Sequence, residues 1–137
     1  MVLTNGLTNG LSIEWLETLL AHEIDARRER AVTYRIKRAD FPEVTSLEAF
    51  DWEFNPDIDR AAVEALATLD FVDQHQIALF LGKPGTGKTH LALAIGLRAV
   101  HSGRRVFCSS VKRLSAQIAH ARSKNTLERI GKSIHFP

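Results

Sequence analysis

The stretch 79–89, Leu-Phe-Leu-Gly-Lys-Pro-Gly-Thr-Gly-Lys-Thr, constrains the fold more than any other part of this chain. It fits the pattern G-x-x-x-x-G-K-[ST], with an apolar run directly before it and a helix-like run directly after it. That order of strand, loop and helix is the context in which the pattern binds phosphate. Since four fixed positions arise by chance in a chain of this length roughly once in two hundred, we expect a phosphate-binding loop rather than a glycine-rich turn that binds nothing.

The residue types of this loop suit a nucleoside triphosphate. Glycine lets the backbone curl and approach phosphate closely, so that its N–H groups point at the anion. The helix that starts near Lys88 adds the positive end of its dipole. Lys88 is expected to reach the β and γ phosphates, and the Thr89 hydroxyl to take one position on Mg²⁺. The predicted nucleotide-binding residues are Gly82, Lys83, Pro84, Gly85, Thr86, Gly87, Lys88 and Thr89.

The segments around the loop predict an α/β fold. Residues 77–81 form a continuous apolar run, which is typical of a strand buried on both faces of a parallel sheet. The following helix is apolar on two sides, as in a buried helix, and Gly103 closes it before a second strand at 106–108. The unit 77–108 has the size of a β-α-β crossover. The two helical stripes are Leu91, Ile95 and Ala99, and Leu93, Leu97 and Val100; a later helix is expected to face inward through Val111, Leu114, Ile118 and Ala121.

The repeats, the charge distribution and the spacing of apolar residues divide the chain into three parts. Residues 1–11 repeat Leu-Thr-Asn-Gly and predict a flexible tail. Residues 12–56 are interpreted as a helical basic segment followed by an acidic, aromatic connector, and residues 57–137 as a partial P-loop domain. Ser12 is the expected N-cap of the first helix. One face of that helix is apolar and is expected to pack against another part of the protein. Its residues are Ile13, Leu16, Leu19, Leu20 and Ile24.

The connector carries three alternating aromatic residues, Phe50, Trp52 and Phe54. An extended segment would place all three rings on one side. They would then either pin the connector onto the core or stack on a base, and the first is the commoner role. Asp57 or Asp59 is predicted to cap the helix that follows.

Charge is unevenly distributed along the chain although the net charge is only +2. Residues 41–80 contain one basic and nine acidic side chains, whereas 81–137 contain eleven and one. Between 27 and 38 six basic residues stand against the single acid Glu29, which suits either a DNA phosphate backbone or a solvated helical face. The predicted DNA-binding residues are Arg27, Arg28, Arg30, Arg35, Lys37 and Arg38.

Composition removes several function classes. With 45% apolar residues the chain can form a globular core, and its single cysteine, Cys108, excludes an intramolecular disulfide. Cys108 lies in an apolar run and is more often a core residue than a nucleophile there. The six histidines show no metal-ligand spacing. No run is long enough to cross a membrane and no signal peptide is evident, so we expect a cytoplasmic protein without a membrane partner.

Three stretches together carry a family resemblance: Leu-Asp-Phe-Val-Asp at 69–73, the loop followed by Thr-His-Leu-Ala-Leu-Ala-Ile-Gly at 89–96, and the basic segment running into Ala-Asp-Phe-Pro at 39–42. The chain resembles the IstB-like ATP-binding proteins, helper ATPases of insertion-sequence transposons that are related to DnaC-type helicase loaders in the AAA+ class. The resemblance implies the amino-terminal part of an AAA+-like parallel sheet and an ATP site with Mg²⁺ at 82–89. It also implies DNA and a transposase as partners, with a homo-oligomer or a full-length helper ATPase as a further one.

The sequence departs from this family after the loop. Hydrolysis in the class needs an acid pair at the end of a later strand, but the only acidic residue beyond Lys88 is Glu128. We therefore expect a form truncated before these Walker B acids that does not turn over ATP by itself. In the family sheet later strands lie between the two present here, so both would have unpaired edges.

Two other functions stay open. In one, the chain is a non-enzymatic module whose basic segments hold DNA or a partner ATPase whether or not nucleotide is present. In the other it is a small P-loop kinase, although nothing in the sequence supplies an acceptor site or a lid.

Overall fold

The computed structural model describes residues 8–123, which contain five helices. The chain divides into two compact units, with the boundary between Tyr34 and Arg35. None of the described helices is both long enough and apolar enough to cross a membrane. The helices are α1 (Thr8–Ala39), α2 (Arg60–Ala67), α3 (Asp70–Asp73), α4 (Lys88–His101) and α5 (Val111–Ser123).

Helix α1 begins at Thr8, four residues before the predicted N-cap Ser12. Residues 8–11 of the predicted tail are therefore helical, while residues 1–7 lie outside the described range. The predicted apolar stripe on α1 is 48–55% exposed. Within the described part of the first unit, no other element therefore packs against this face of α1.

Helix α2 starts where the sequence predicts. Asp59 is its N-cap, and the Asp59 side chain accepts a hydrogen bond from the backbone N–H of Ala62 at 3.0 Å. This bond satisfies one of the amides that the first turn of a helix leaves without an intrahelical partner. Asp59 rather than Asp57 therefore performs the predicted capping.

Helix α4 is the centre of the second unit. Both predicted apolar stripes are buried along it, with Val100 fully inaccessible. After the C-cap, Gly103 adopts φ +91° and its N–H bonds to the carbonyl of Val100, while the N–H of Arg104 bonds to that of Ala99. This pair of bonds is a Schellman motif, which needs a left-handed residue and so favours glycine. The prediction that Gly103 closes the helix is confirmed.

The main core cluster joins three parts of the second unit around α4. In the structure the connector comprises residues 40–59, between α1 and α2, and so ends three residues later than predicted. It contributes Leu47 and Phe50 to the cluster, while α2 and the residue before α3 contribute Val63, Ala67 and Leu69. Removing these apolar surfaces from water is the main term that holds the connector and α2 on α4. From α4 the buried members are Leu91, Ala94, Ile95 and Ala99.

The predicted parallel sheet is not formed by the described residues. Residues 77–81 and 106–108 have no regular secondary structure. A strand requires a neighbouring strand for its N–H and C=O groups, and the N–H of Cys108 bonds instead to the carbonyl of Ala39 at the end of α1. Burial of 77–81 on both faces is also wrong: Phe80 packs against the core cluster, but Ile77, Leu79 and Leu81 are 78–87% exposed.

Two smaller predictions differ from the structure. Along α5, Ala121 is buried and Leu114 half-buried, but Val111 is 82% and Ile118 42% exposed, so only part of the predicted inward face is covered. In the connector Phe50 is buried and Trp52 half-buried, whereas Phe54 is exposed. The three rings do not lie on one side, because the segment turns rather than running as a strand.

Candidate nucleotide-binding site

The candidate site is the loop that joins residues 77–81 to α4. Gly85 and Gly87 adopt φ +79° and +83°, the left-handed region that glycine enters without steric cost. Gly87 is also the N-cap of α4, and its carbonyl accepts the N–H of Leu91 at 3.0 Å. The loop therefore curls directly into a helix amino terminus, where first-turn amides and the helix dipole favour an anion.

The Lys88 side chain folds back over this loop. Its Nζ donates to the carbonyl of Lys83 and to Thr86 Oγ1, which lies 3.1 Å away. Thr86 Oγ1 in turn donates to the same carbonyl at 2.9 Å. These bonds hold the ammonium group close to the curled backbone, so the loop and Lys88 together present donors and positive charge at one place.

All eight predicted nucleotide-binding residues are contiguous in this arrangement. Thr89, in the first turn of α4, is exposed, and so are Lys83 and Pro84 in the loop. Within residues 8–123 no group of three or more histidine, cysteine, aspartate or glutamate side chains could hold a metal ion.

An open cavity of about 590 Å³ adjoins the loop. Gly82, Lys83, Thr86 and Lys88 line one part of it. Residues of the connector and α2, the segment 79–81 and Leu91 of α4 line the rest. Ligand clefts usually measure about 300–1,000 Å³, so the cavity has room for a nucleotide-sized ligand next to the loop.

The connector lies over the loop, which the sequence did not predict. Thr45 Oγ1 lies 2.6 Å from His90 Nε2, and Asn55 Nδ2 donates to the carbonyl of Thr86 at 3.4 Å. The Phe50 ring packs edge-on against His90, with ring centroids 5.1 Å apart. In the sequence His90 directly follows the loop, and this adjacency is the one local feature that points to the contact.

The predicted DNA-binding residues are spread along the basic half of α1. Arg27, Arg28 and Arg30 are in the first unit, and their side chains are 70–77% exposed. Arg35, Lys37 and Arg38 are in the second unit, where Arg35 is half-buried and Lys37 is exposed.

Acidic side chains one turn earlier partly offset the charge of the first three arginines. Glu23 accepts a 2.8 Å hydrogen bond from Arg27 Nε and lies 3.7 Å from Arg30, while Asp25 lies 3.9 Å from Arg28. The hydrogen bond from Arg27, and then the charge of that side chain, keeps the pKa of Glu23 below its usual value. These pairs are solvent-exposed and therefore weak.

Comparison with known proteins gives one matching family and several relatives from insertion sequences. Residues 3–135 match the family described as IstB-like ATP binding protein. The chain is 44% identical over 116 residues to the insertion sequence IS21 ATP-binding protein of Pseudomonas aeruginosa, which covers 85% of this chain and 44% of the relative. It is 34% identical over 116 residues to the IS5376 ATP-binding protein of Geobacillus stearothermophilus, covering 85% and 46%.

A third relative extends the same pattern. The IS232 ATP-binding protein of Bacillus thuringiensis subsp. berliner is 32% identical over 123 residues, which is 89% of this chain and 49% of the relative. The chain thus spans about half the length of the curated relatives it matches.

Proposed function

The chain belongs to the IstB-like ATP-binding family, and from that premise we propose that residues 82–89 bind the triphosphate of ATP together with Mg²⁺. The observation that carries the proposal is the position of the Lys88 ammonium group, held by the Lys83 carbonyl and by Thr86 Oγ1 at the centre of a curled loop. A triphosphate is the ligand that best matches one fixed cation, a helix amino terminus and a glycine-rich backbone.

Each part of the loop has a separate role in this proposal. Backbone N–H groups of the curled segment donate to phosphate oxygens, and the two left-handed glycines keep that curl accessible. Lys88 exchanges its two protein oxygen partners for oxygens of the β and γ phosphates. The Thr89 hydroxyl would hold Mg²⁺ as one of its ligands, and the ion would neutralise part of the phosphate charge.

The wider role we propose is that of an ATP-binding, DNA-associated protein of an insertion sequence. The relatives at 32–44% identity are ATP-binding proteins of insertion sequences, and the exposed arginines of α1 offer a surface for DNA phosphates. A transposase is the expected protein partner in that setting. A second copy of this chain or a full-length helper ATPase is a further expected partner. A DNA- or partner-binding module that needs no nucleotide is the competing function, favoured by the same arginines.

We propose further that the described residues bind nucleotide without themselves supplying the group that activates an attacking water. Beyond Lys88 the sequence offers only Glu128 as a carboxylate, and Glu128 lies outside the described residues. Activation of an attacking water in this class of chemistry depends on a positioned polar or acidic side chain. Within the described residues, α4 and α5 contain no acidic side chain that could do so.

Equilibrium titration with Mg-ATP tests the proposed function. Saturable binding of one ATP per chain is the expected result, with phosphate release no faster than from a Lys88→Ala control. Absence of binding, measured on chain shown to be folded by circular dichroism, would remove the nucleotide site and leave the nucleotide-independent module as the function. Phosphate release well above the control would instead show that this chain does activate an attacking water.

The DNA proposal predicts a weaker salt dependence of binding when two arginines of α1 are neutralised. Arg27→Gln with Arg28→Gln should lower the slope of log K against log salt by about 0.9 for each DNA phosphate that the variant no longer neutralises. A matched control is Arg60→Gln with Arg98→Gln, because these arginines are also exposed and paired with a carboxylate. Fluorescence anisotropy with duplex DNA at several salt concentrations measures both. Equal slopes for the two double variants would contradict a DNA role for this part of α1.

A further inference from the structure

Phe50 makes an unusually close approach to the loop from the connector. A methyl carbon at Gly87 would lie 2.8 Å from Phe50 Cε2 and 2.9 Å from Cζ, so the ring lies directly against the Gly87 backbone. The same ring packs on His90, one turn into α4, and on Trp52, whose centroid is 4.9 Å away at an angle of 69°. Phe50 is only 7% exposed, so its position is fixed by the core.

The contact falls on the residue whose conformation defines the site. Gly87 is left-handed and is the N-cap of α4, so a change in its backbone angles would redirect both the loop and the first helical amides. On either side of it, Asn55 and Thr45 contact Thr86 and His90. The connector thus contacts the loop at three places along five consecutive residues, and Phe50 makes the central, most buried contact.

We propose that Phe50 is a positioning residue of the nucleotide site, whose ring holds Gly87 and the start of α4 in the conformation that binds phosphate. The inference rests on the proposed ATP-binding function and adds to it a residue outside the phosphate-binding pattern. If the loop already has its binding conformation before the ligand arrives, less conformational entropy is lost on binding. This is the general advantage of preorganisation. Loss of the ring therefore weakens nucleotide binding without removing any group that touches the nucleotide.

The test compares Phe50→Ala with Phe50→Leu and with Leu47→Ala as a matched control. Leu47 lies in the same connector and is equally buried at 8%, but it lines a cavity with Ala94 and Leu97 further along α4. Two quantities are measured on the full chain: hydrogen exchange of the amides of residues 85–90 without nucleotide, and the Kd for Mg-ATP.

Phe50→Ala should speed exchange of these amides and raise the Kd by about tenfold relative to Leu47→Ala, as expected when preorganisation is removed. Phe50→Leu should show smaller changes in both amide exchange and Kd, because leucine keeps an apolar side chain against Gly87. If Phe50→Ala and Leu47→Ala speed exchange equally, Phe50 only fills the core and the proposal is overturned. If the wild-type chain binds no Mg-ATP, the proposed function fails, yet the exchange comparison still decides whether Phe50 holds the loop.

Discussion

Replacing Lys88 with alanine should raise the Kd for Mg-ATP by about a hundredfold while leaving the fold intact. Lys88 is the side chain that brings positive charge over the loop, through hydrogen bonds to Lys83 and Thr86. A hydrogen bond to a charged group contributes about 1.5–3 kcal/mol, and about 3 kcal/mol for interactions with two phosphates corresponds to about a hundredfold in Kd. Isothermal titration calorimetry of the variant beside the wild-type chain measures the difference.

Lys83→Ala is the matched control for this prediction. It removes the same charge from the same loop, but the Lys83 side chain is exposed. In the proposed site Lys83 takes part through its backbone, and its carbonyl is the group that contacts Lys88. Because exposed charges are screened by solvent and salt, we expect the Kd of Lys83→Ala to stay within about threefold of wild type. Equal losses in the two variants would mean that general charge, rather than the position of Lys88, controls binding.

Gly87→Ala should be the most damaging single substitution in the loop. A side chain at φ +83° costs about 1–2 kcal/mol, and the added methyl group would also lie 2.8 Å from the buried Phe50 ring. Overpacking of this kind costs about 1–3 kcal/mol, so the total loss of unfolding free energy is about 2–5 kcal/mol. Nucleotide binding should be abolished as well, because either the ring or the loop must move.

Gly85→Ala separates backbone strain from the steric clash. Gly85 has nearly the same φ, +79°, but a methyl group there would meet nothing within 4 Å. We therefore expect Gly85→Ala to lower the free energy of unfolding only by the backbone strain, about 1–2 kcal/mol. Urea denaturation of the variant measures this loss. A Gly87→Ala chain as stable as Gly85→Ala would show that Phe50 does not restrict the loop as described here.

Local patterns are enough to predict the course of the loop, because its contacts are close in sequence; that it binds nucleotide stays a prediction. The loop lies within eight consecutive residues, and the glycine and lysine positions follow from the chemistry of phosphate binding. Helix α4 was equally predictable, since two apolar stripes at helical spacing predict a helix that is largely buried. Gly103 likewise marked the helix end, because a left-handed C′ residue is a local requirement.

Features that depend on distant residues were not predictable in the same way. An apolar run such as 77–81 fits a buried strand, but whether a strand forms depends on a partner strand, and none is present in the described residues. The packing of Phe50 against Gly87 joins residues 37 positions apart, and no local pattern encodes it. Alternation of aromatic residues at 50, 52 and 54 was misleading, because the connector turns where a strand was assumed.

Hydrogen exchange with and without Mg-ATP tests the central claim, that nucleotide binds at this loop, most directly. The account predicts protection of the amides of residues 85–90 that depends on ATP concentration and is absent in Lys88→Ala. Exchange in α5 should stay unchanged and serves as the internal reference. Saturable ATP binding without protection at 85–90 would place the nucleotide elsewhere and contradict the account.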